Sequence, residues 1–98
     1  MTPEGRIKVR IDALLKLHNA YYLKPVQNGM GAPALDYHGI HMGRGFVIEA
    51  KAPGKEPTER QARTMRSVMK AGGQVFFVDG DAQLKHLADW LNGAYSDE

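Results

Sequence analysis

Apolar residues recur along the chain first at helical spacing, then in short strand-like runs, then at helical spacing again. Ile7, Ile11, Leu14, Leu15 and His18 share one helical face, and Arg6, Lys8, Arg10 and Lys16 fall mostly elsewhere. Thr2-Pro3-Glu4 supplies an N-cap, a proline for the first helical position and a first-turn acid that the helix dipole favours. Tyr21-Tyr22-Leu23 has strand character, and Pro25 confines that strand to a short or edge position. Residues 27–33 form a loop with two glycines and a proline. Residues 34–40 and 44–51 predict a hairpin around His41-Met42-Gly43. A loop over residues 52–57 precedes Thr58-Glu59-Arg60-Gln61, which reads as a capping box. The helix it opens runs to about Ala71 and closes on Gly72-Gly73, with Ala62, Met65, Val68 and Met69 as its apolar face. Val75 to Val78 is a buried strand, and Asp79-Gly80-Asp81 turns it into a last helix with Asp81 as N-cap. Leu84, Leu87, Ala88 and Leu91 line the inner side of that helix, with Trp90 near the edge of the stripe. The expected order is α-β-β-β-α-β-α in one domain over residues 1–98, an α/β chain with an α+β mixed sheet.

One stretch does more than the packing pattern requires. Phe46, Val47 and Ile48 read as a buried central strand, and the run ends in Glu49-Ala50-Lys51. Alternation along a strand puts Glu49 and Lys51 on one face and the small Ala50 on the other. If Met42-Gly43 is a two-residue loop, paired positions sum to 85 and Asp36 stands opposite Glu49 on the same face. Like charges so placed repel across about 5 Å between Cβ atoms. A positive group has to resolve that repulsion, either Lys51 or a divalent cation.

Composition narrows the partners. At 98 residues, 43% hydrophobic and 24% charged, the chain has the make-up of an ordinary globular domain. It has no apolar run of membrane-spanning length, and its first residues lack a signal peptide's apolar core, so a cytoplasmic location is expected. The absence of cysteine excludes disulfides and thiolate metal sites. The net charge of +2 divides into +3 over residues 1–35, +3 over 36–70 and −4 over 71–98. The first two segments can face a polyanion with the tail turned away, or form an ordinary solvated surface. Arg63, Arg66 and Lys70 form a basic stripe that is either solvated or tracks phosphates, and Lys55 adds a charge just before that helix.

An Asp, a Glu and a Lys converging at strand ends suit metal-assisted phosphodiester hydrolysis. Two carboxylates hold a hydrated Mg²⁺, and the Lys orients the attacking water or stabilises charge on the phosphate. No Ser-His-Asp spacing, P-loop or dinucleotide-binding glycine pattern occurs, so a nucleotide cofactor is not expected. His38 and His41 would face opposite ways on a strand, with no third ligand for zinc, and read as polar residues of the hairpin surface. His18 and His86 carry no special role. Alone, Glu49-Ala50-Lys51 and Asp36 read by default as an exposed ion pair, and only the wider pattern changes that.

From Glu4 to about Gly80, the chain resembles the virus-type replication-repair nuclease family (VRR-NUC) of the PD-(D/E)XK nucleases. The matching features are Glu4 near the start of the first helix, Gly31-Ala32-Pro33 leading to Asp36, Glu49-Ala50-Lys51, Gly54, Gln61 early in a helix, and Gly72-Gly73 before an apolar strand. The family's Pro usually abuts the Asp, whereas Ala34 and Leu35 intervene here. The resemblance implies a restriction-endonuclease-like core. It implies Mg²⁺ or Mn²⁺ held by Asp36, Glu49 and the Ala50 carbonyl, with Lys51 assisting the nucleophilic water. Gln61 would support the site or touch phosphate alongside its capping role, and Glu4 would complete the site from the first helix. It further implies a phage-type endonuclease that acts on branched DNA, a Holliday junction or flap, as a homodimer. The alternatives are a non-catalytic DNA-binding module and a small phage interaction protein.

Overall fold

The computed structural model describes residues 1–26 and 34–93. The loop over residues 27–33, and with it Gly31-Ala32-Pro33 of the family motif, lies outside the described residues. The elements are α1 (Pro3–Leu17), β1 (Tyr21–Leu23), β2 (Tyr37–His41), β3 (Arg44–Ala50), α2 (Glu59–Lys70), β4 (Gln74–Val78) and α3 (Asp81–Leu91). They follow the order expected from the sequence. No helix among the described residues is long and apolar enough to cross a membrane.

The strands form a four-stranded mixed sheet in the order β1-β2-β3-β4. The first three are antiparallel, and β4 joins β3 in parallel after the α2 crossover. Met42 and Gly43 at the β2–β3 turn have φ of 52° and 79°. Two left-handed residues in a two-residue loop match the twist of the flanking strands. The turn sets the register, in which Tyr37 faces Ile48 and His41 faces Arg44. These pairs carry the expected sum of 85. β2 begins at Tyr37 rather than at residue 34, so Asp36 occupies a bend just before the strand. Gly39 is required for the β1 pairing, because a Cβ there would lie 2.2 Å from the Tyr21 carbonyl oxygen.

Helices α1 and α3 cover one face of the sheet. Ile7, Ile11 and Leu15 from α1, and Leu84, Leu87, Trp90 and Leu91 from α3, close on Tyr37, Phe46, Ile48, Ala50, Phe76 and Val78. On the other face α2 packs through Met65 against Leu35 and Val47, with Val68, Val75 and Phe77 at the margin. The helix ends follow the sequence signals with one exception. Thr2 caps α1 by accepting from the Gly5 N–H at 3.0 Å. Thr58 and Gln61 form both bonds of a capping box. Gly72 (φ 90°) ends α2, with the Gly72 and Gly73 N–H groups returning to the Met69 and Val68 carbonyls. The exception is α3, whose N-cap is Gly80. Asp81 is instead the first helical residue, and its carboxylate binds Arg10 at 2.6 Å across to α1.

Three further expectations are corrected. Met69 is 55% exposed and takes no part in the α2 contact, which Met65 and Val68 make instead. Trp90 lies in the core between Phe46 and Phe76 rather than at the edge of the stripe. His41 is buried, not on the hairpin surface. Its Nε2–H donates to the Leu91 carbonyl at 2.9 Å, and its ring lies against Trp90. His38 is half-buried, and its Nε2 accepts the Leu35 N–H at 3.2 Å. Burial lowers the His38 pKa from its ordinary value, which keeps the ring neutral and able to accept.

Candidate active site

The carboxylates meet where β3 emerges from the sheet. Val47, Glu49 and Lys51 point toward the α2 face while Ile48 and Ala50 enter the α1–α3 core, as strand alternation requires. The ladder continues one step beyond β3, with the Lys51 N–H donating to the Val78 carbonyl at 3.0 Å. The β2–β3 register brings Asp36 alongside Glu49, and the two are linked through the backbone. The Asp36 N–H donates to Glu49 Oε1 at 3.2 Å, and the Ala50 N–H donates to Asp36 Oδ2 at 2.9 Å. Ala50 thus meets the site through its N–H, which fixes the Asp36 carboxylate against the strand.

Gln61 serves the helix and the site with opposite ends of one amide. Its Oε1 accepts the Thr58 N–H at 2.9 Å to complete the capping box. Its Nε2 donates to Glu49 Oε2 at 2.8 Å. Gln61 thus completes the capping box and also reaches Glu49, and the two bonds fix the amide orientation. Lys51 Nζ lies 3.6 Å from the same Glu49 oxygen. Glu49 is 3% exposed, yet it is a carboxylate. Burial first, and the nearby Asp36 charge second, push its pKa from 4.5 to about 7 against the opposing pull of Lys51.

Helix α1 reaches the cluster through a residue that sequence reasoning passed over. Lys8 Nζ lies 3.2 Å from Glu4 Oε2 and 3.5 Å from Asp36 Oδ1. Glu4 therefore joins the site by way of Lys8. Burial disfavours the Lys8 charge, but Asp36 and Glu4 outweigh it and raise its pKa above that of an ordinary lysine. The i,i+4 spacing of Glu4 and Lys8 was visible in the sequence. Which strand that pair would meet was not.

The basic residues expected to bind DNA are not drawn into this cluster. Arg66 pairs with Glu59 on the outer side of α2 at 3.1 Å. Arg63 lines a shallow cavity of about 340 Å³ with Arg60, Thr64 and Ser67. Lys70 ends α2, Lys55 lies in the loop before it, and both are exposed. A groove between α1 and α3, lined by residues including Arg10, Leu14, Leu17 and Leu84, contains none of the carboxylate cluster.

Among the described residues, no three or more His, Asp or Glu side chains gather closely enough to enclose a metal ion. The donors that do meet are two carboxylates and adjoining backbone. That set fits Mg²⁺, which keeps several waters and takes one or two protein carboxylates. Buried Glu49 and half-buried Asp36 repel each other, an arrangement a divalent cation would relieve.

No family model matches the sequence, and no curated protein does. In architecture the chain is a mixed α+β domain with a restriction-endonuclease-like core. It is similar to a solved structure described as a VRR_NUC domain, with a TM-score of 0.76 and 23% identity over 97% of this chain and 100% of that one. The chain therefore has the VRR_NUC fold, that of the family its sequence resembles.

Proposed function

We propose that this protein is a metal-dependent nuclease that hydrolyses phosphodiester bonds in DNA, with branched DNA as its substrate and a homodimer as its working form. The observation that carries the reading is the cluster of Asp36, Glu49 and Lys51 at the end of β3 in a VRR_NUC fold. Asp36 and Glu49, with the Ala50 carbonyl, would hold Mg²⁺ or Mn²⁺. When bound, the ion supplies Lewis-acid stabilisation of the phosphate and lowers the pKa of a bound water.

The chain's own residues do the rest. Gln61 holds Glu49 Oε2 and keeps that carboxylate in one rotamer at the mouth of the site. The Ala50 N–H does the same for Asp36. Such locked rotamers are what precise placement of a reacting group demands. Lys51, whose ammonium stands beside Glu49, orients the attacking water and stabilises negative charge on the phosphate. The N-terminus of α2 faces the same region through Gln61 and attracts a phosphate oxygen. Arg60 and Arg63 on α2, with Arg66, Lys70 and Lys55, supply sequence-independent attraction to the DNA backbone. A C₂ pair would present two such sites, one to each of two strands. A phage origin and action in the host cytoplasm belong to the same reading and rest on the family resemblance.

The test is cleavage of labelled four-way-junction, flap and linear duplex DNA with Mg²⁺, with Mn²⁺ or with chelator, alongside Glu49→Ala. The expected result is cutting of a branched substrate that requires the metal and falls about 10²- to 10³-fold in the variant, as loss of a principal electrostatic group does. A folded protein that binds DNA in a salt-sensitive way but cuts none of the substrates would be a non-catalytic DNA-binding module. A folded protein that neither cuts nor binds DNA would be an interaction protein.

A further inference from the structure

Lys8 closes the carboxylate cluster on the side of α1, and the catalytic roles above do not use it. Its ammonium stands between two carboxylates, 3.2 Å from Glu4 Oε2 and 3.5 Å from Asp36 Oδ1. Its backbone is pinned there by Tyr37, the residue after Asp36. The buried Tyr37 hydroxyl donates to the Lys8 carbonyl at 3.2 Å. The other Asp36 oxygen is taken by the Ala50 N–H, so Oδ1 is the oxygen turned to the ammonium. Lys51 attends Glu49 in parallel, so each of the two carboxylates at the end of β3 has a lysine beside it.

The two lysines differ in freedom. The Lys8 side chain is 38% exposed and Lys51 only 19%. A lysine on a surface helix can swing its head into water while its stem stays packed. An ammonium between carboxylates offsets their charge as a divalent cation would, and two cations within a few ångströms repel strongly. We propose that Lys8 is a placeholder for the divalent cation: it holds Asp36 and Glu4 in position while the ion is absent, yields Asp36 when the ion binds, and so sets the cation affinity of the site. The proposal rests on the metal-binding reading above. It adds that the chain already offsets part of the carboxylate charge in the cation-free site, with a residue that must be displaced.

The test is calorimetric titration of the whole protein with Mn²⁺ above neutral pH, comparing wild type, Lys8→Met and Lys8→Arg. Methionine keeps the stem and removes the charge, whereas arginine keeps the charge. Lys8→Met should bind Mn²⁺ about 3- to 10-fold more tightly, the scale of one partly exposed charge, and Lys8→Arg should not. The rise in melting temperature on adding Mn²⁺ should be larger for Lys8→Met than for wild type. A lysine with a merely structural role would lower the melts with and without Mn²⁺ alike and leave the affinity unchanged. Unchanged or weaker binding by folded Lys8→Met, with saturable binding by wild type, overturns the placeholder alone. No saturable binding by wild type overturns the cation site and the placeholder with it.

Discussion

The two faces of the sheet are built from the same strands to different ends. Toward α1 and α3, β3 contributes Phe46, Ile48 and Ala50 to a continuous apolar core. Toward α2, alternate residues of the same strand give Val47, then Glu49, and then Lys51 beyond its end. The apolar cluster on that side is small, with Leu35, Val47 and Met65 as its buried members. The difference teaches that one face supplies the stability and the other spends some of it. Glu49 is buried beside a second carboxylate, an arrangement no core would select, and is held by Gln61, Lys51 and the Asp36 N–H.

The comparison breaks most readily in the core. Leu15 is fully buried in the α1–α3 cluster, and Leu15→Ala should cost about 2–5 kcal/mol in denaturant unfolding. A cost no larger than that of a surface substitution would mean that the α1–α3 face is not where stability resides.

The carboxylate face should show the opposite behaviour, through pH. Folded Glu49 holds its proton up to about 7, against an ordinary value of 4.5. Between those values the folded state binds more protons than the unfolded one. With chelator present, stability should therefore fall as pH rises through that window and level off above it, by about 1–3 kcal/mol. Glu49→Gln should flatten the slope and be more stable than wild type above neutral pH. An identical slope in that variant would show that the carboxylate is not strained.

Tyr37 ties α1 to the sheet, with its ring in the core and its hydroxyl on the Lys8 carbonyl. Burial, and the Asp12 charge after it, raise the Tyr37 pKa, so the hydroxyl remains a donor. Tyr37→Phe should cost about 1 kcal/mol, the net worth of one such bond. It should also make α1 amides near Lys8 exchange faster than those of α3. Uniform exchange across both helices would show that the bond does not anchor α1 in particular.

Much of the site could be read from the chain because it depends on local geometry. A two-residue turn at Met42-Gly43 makes the register simple arithmetic, and the arithmetic places Asp36 beside Glu49. The capping box places Gln61 at the start of α2, where its free amide end reaches Glu49. Lys8 and His41 were not legible in the same way. Each is polar by type, and its role comes from elements far away in sequence: Asp36 for Lys8, Leu91 and Trp90 for His41. Asp81 has good capping chemistry but is drawn to Arg10 on α1, so a tertiary ion pair replaces the local bond.

The order of helices and strands, the hairpin register and the shared face of Glu49 and Lys51 can be read from the chain alone. These follow from periodicities of two and 3.6 residues and from turn and cap chemistry, all of which act over a few neighbouring residues. Which helix closes the carboxylate cluster is set in three dimensions, because docking α1 over the sheet depends on the summed fit of many apolar contacts. That docking sets Lys8 against Asp36, and no local rule along the chain specifies a contact between residues 28 positions apart.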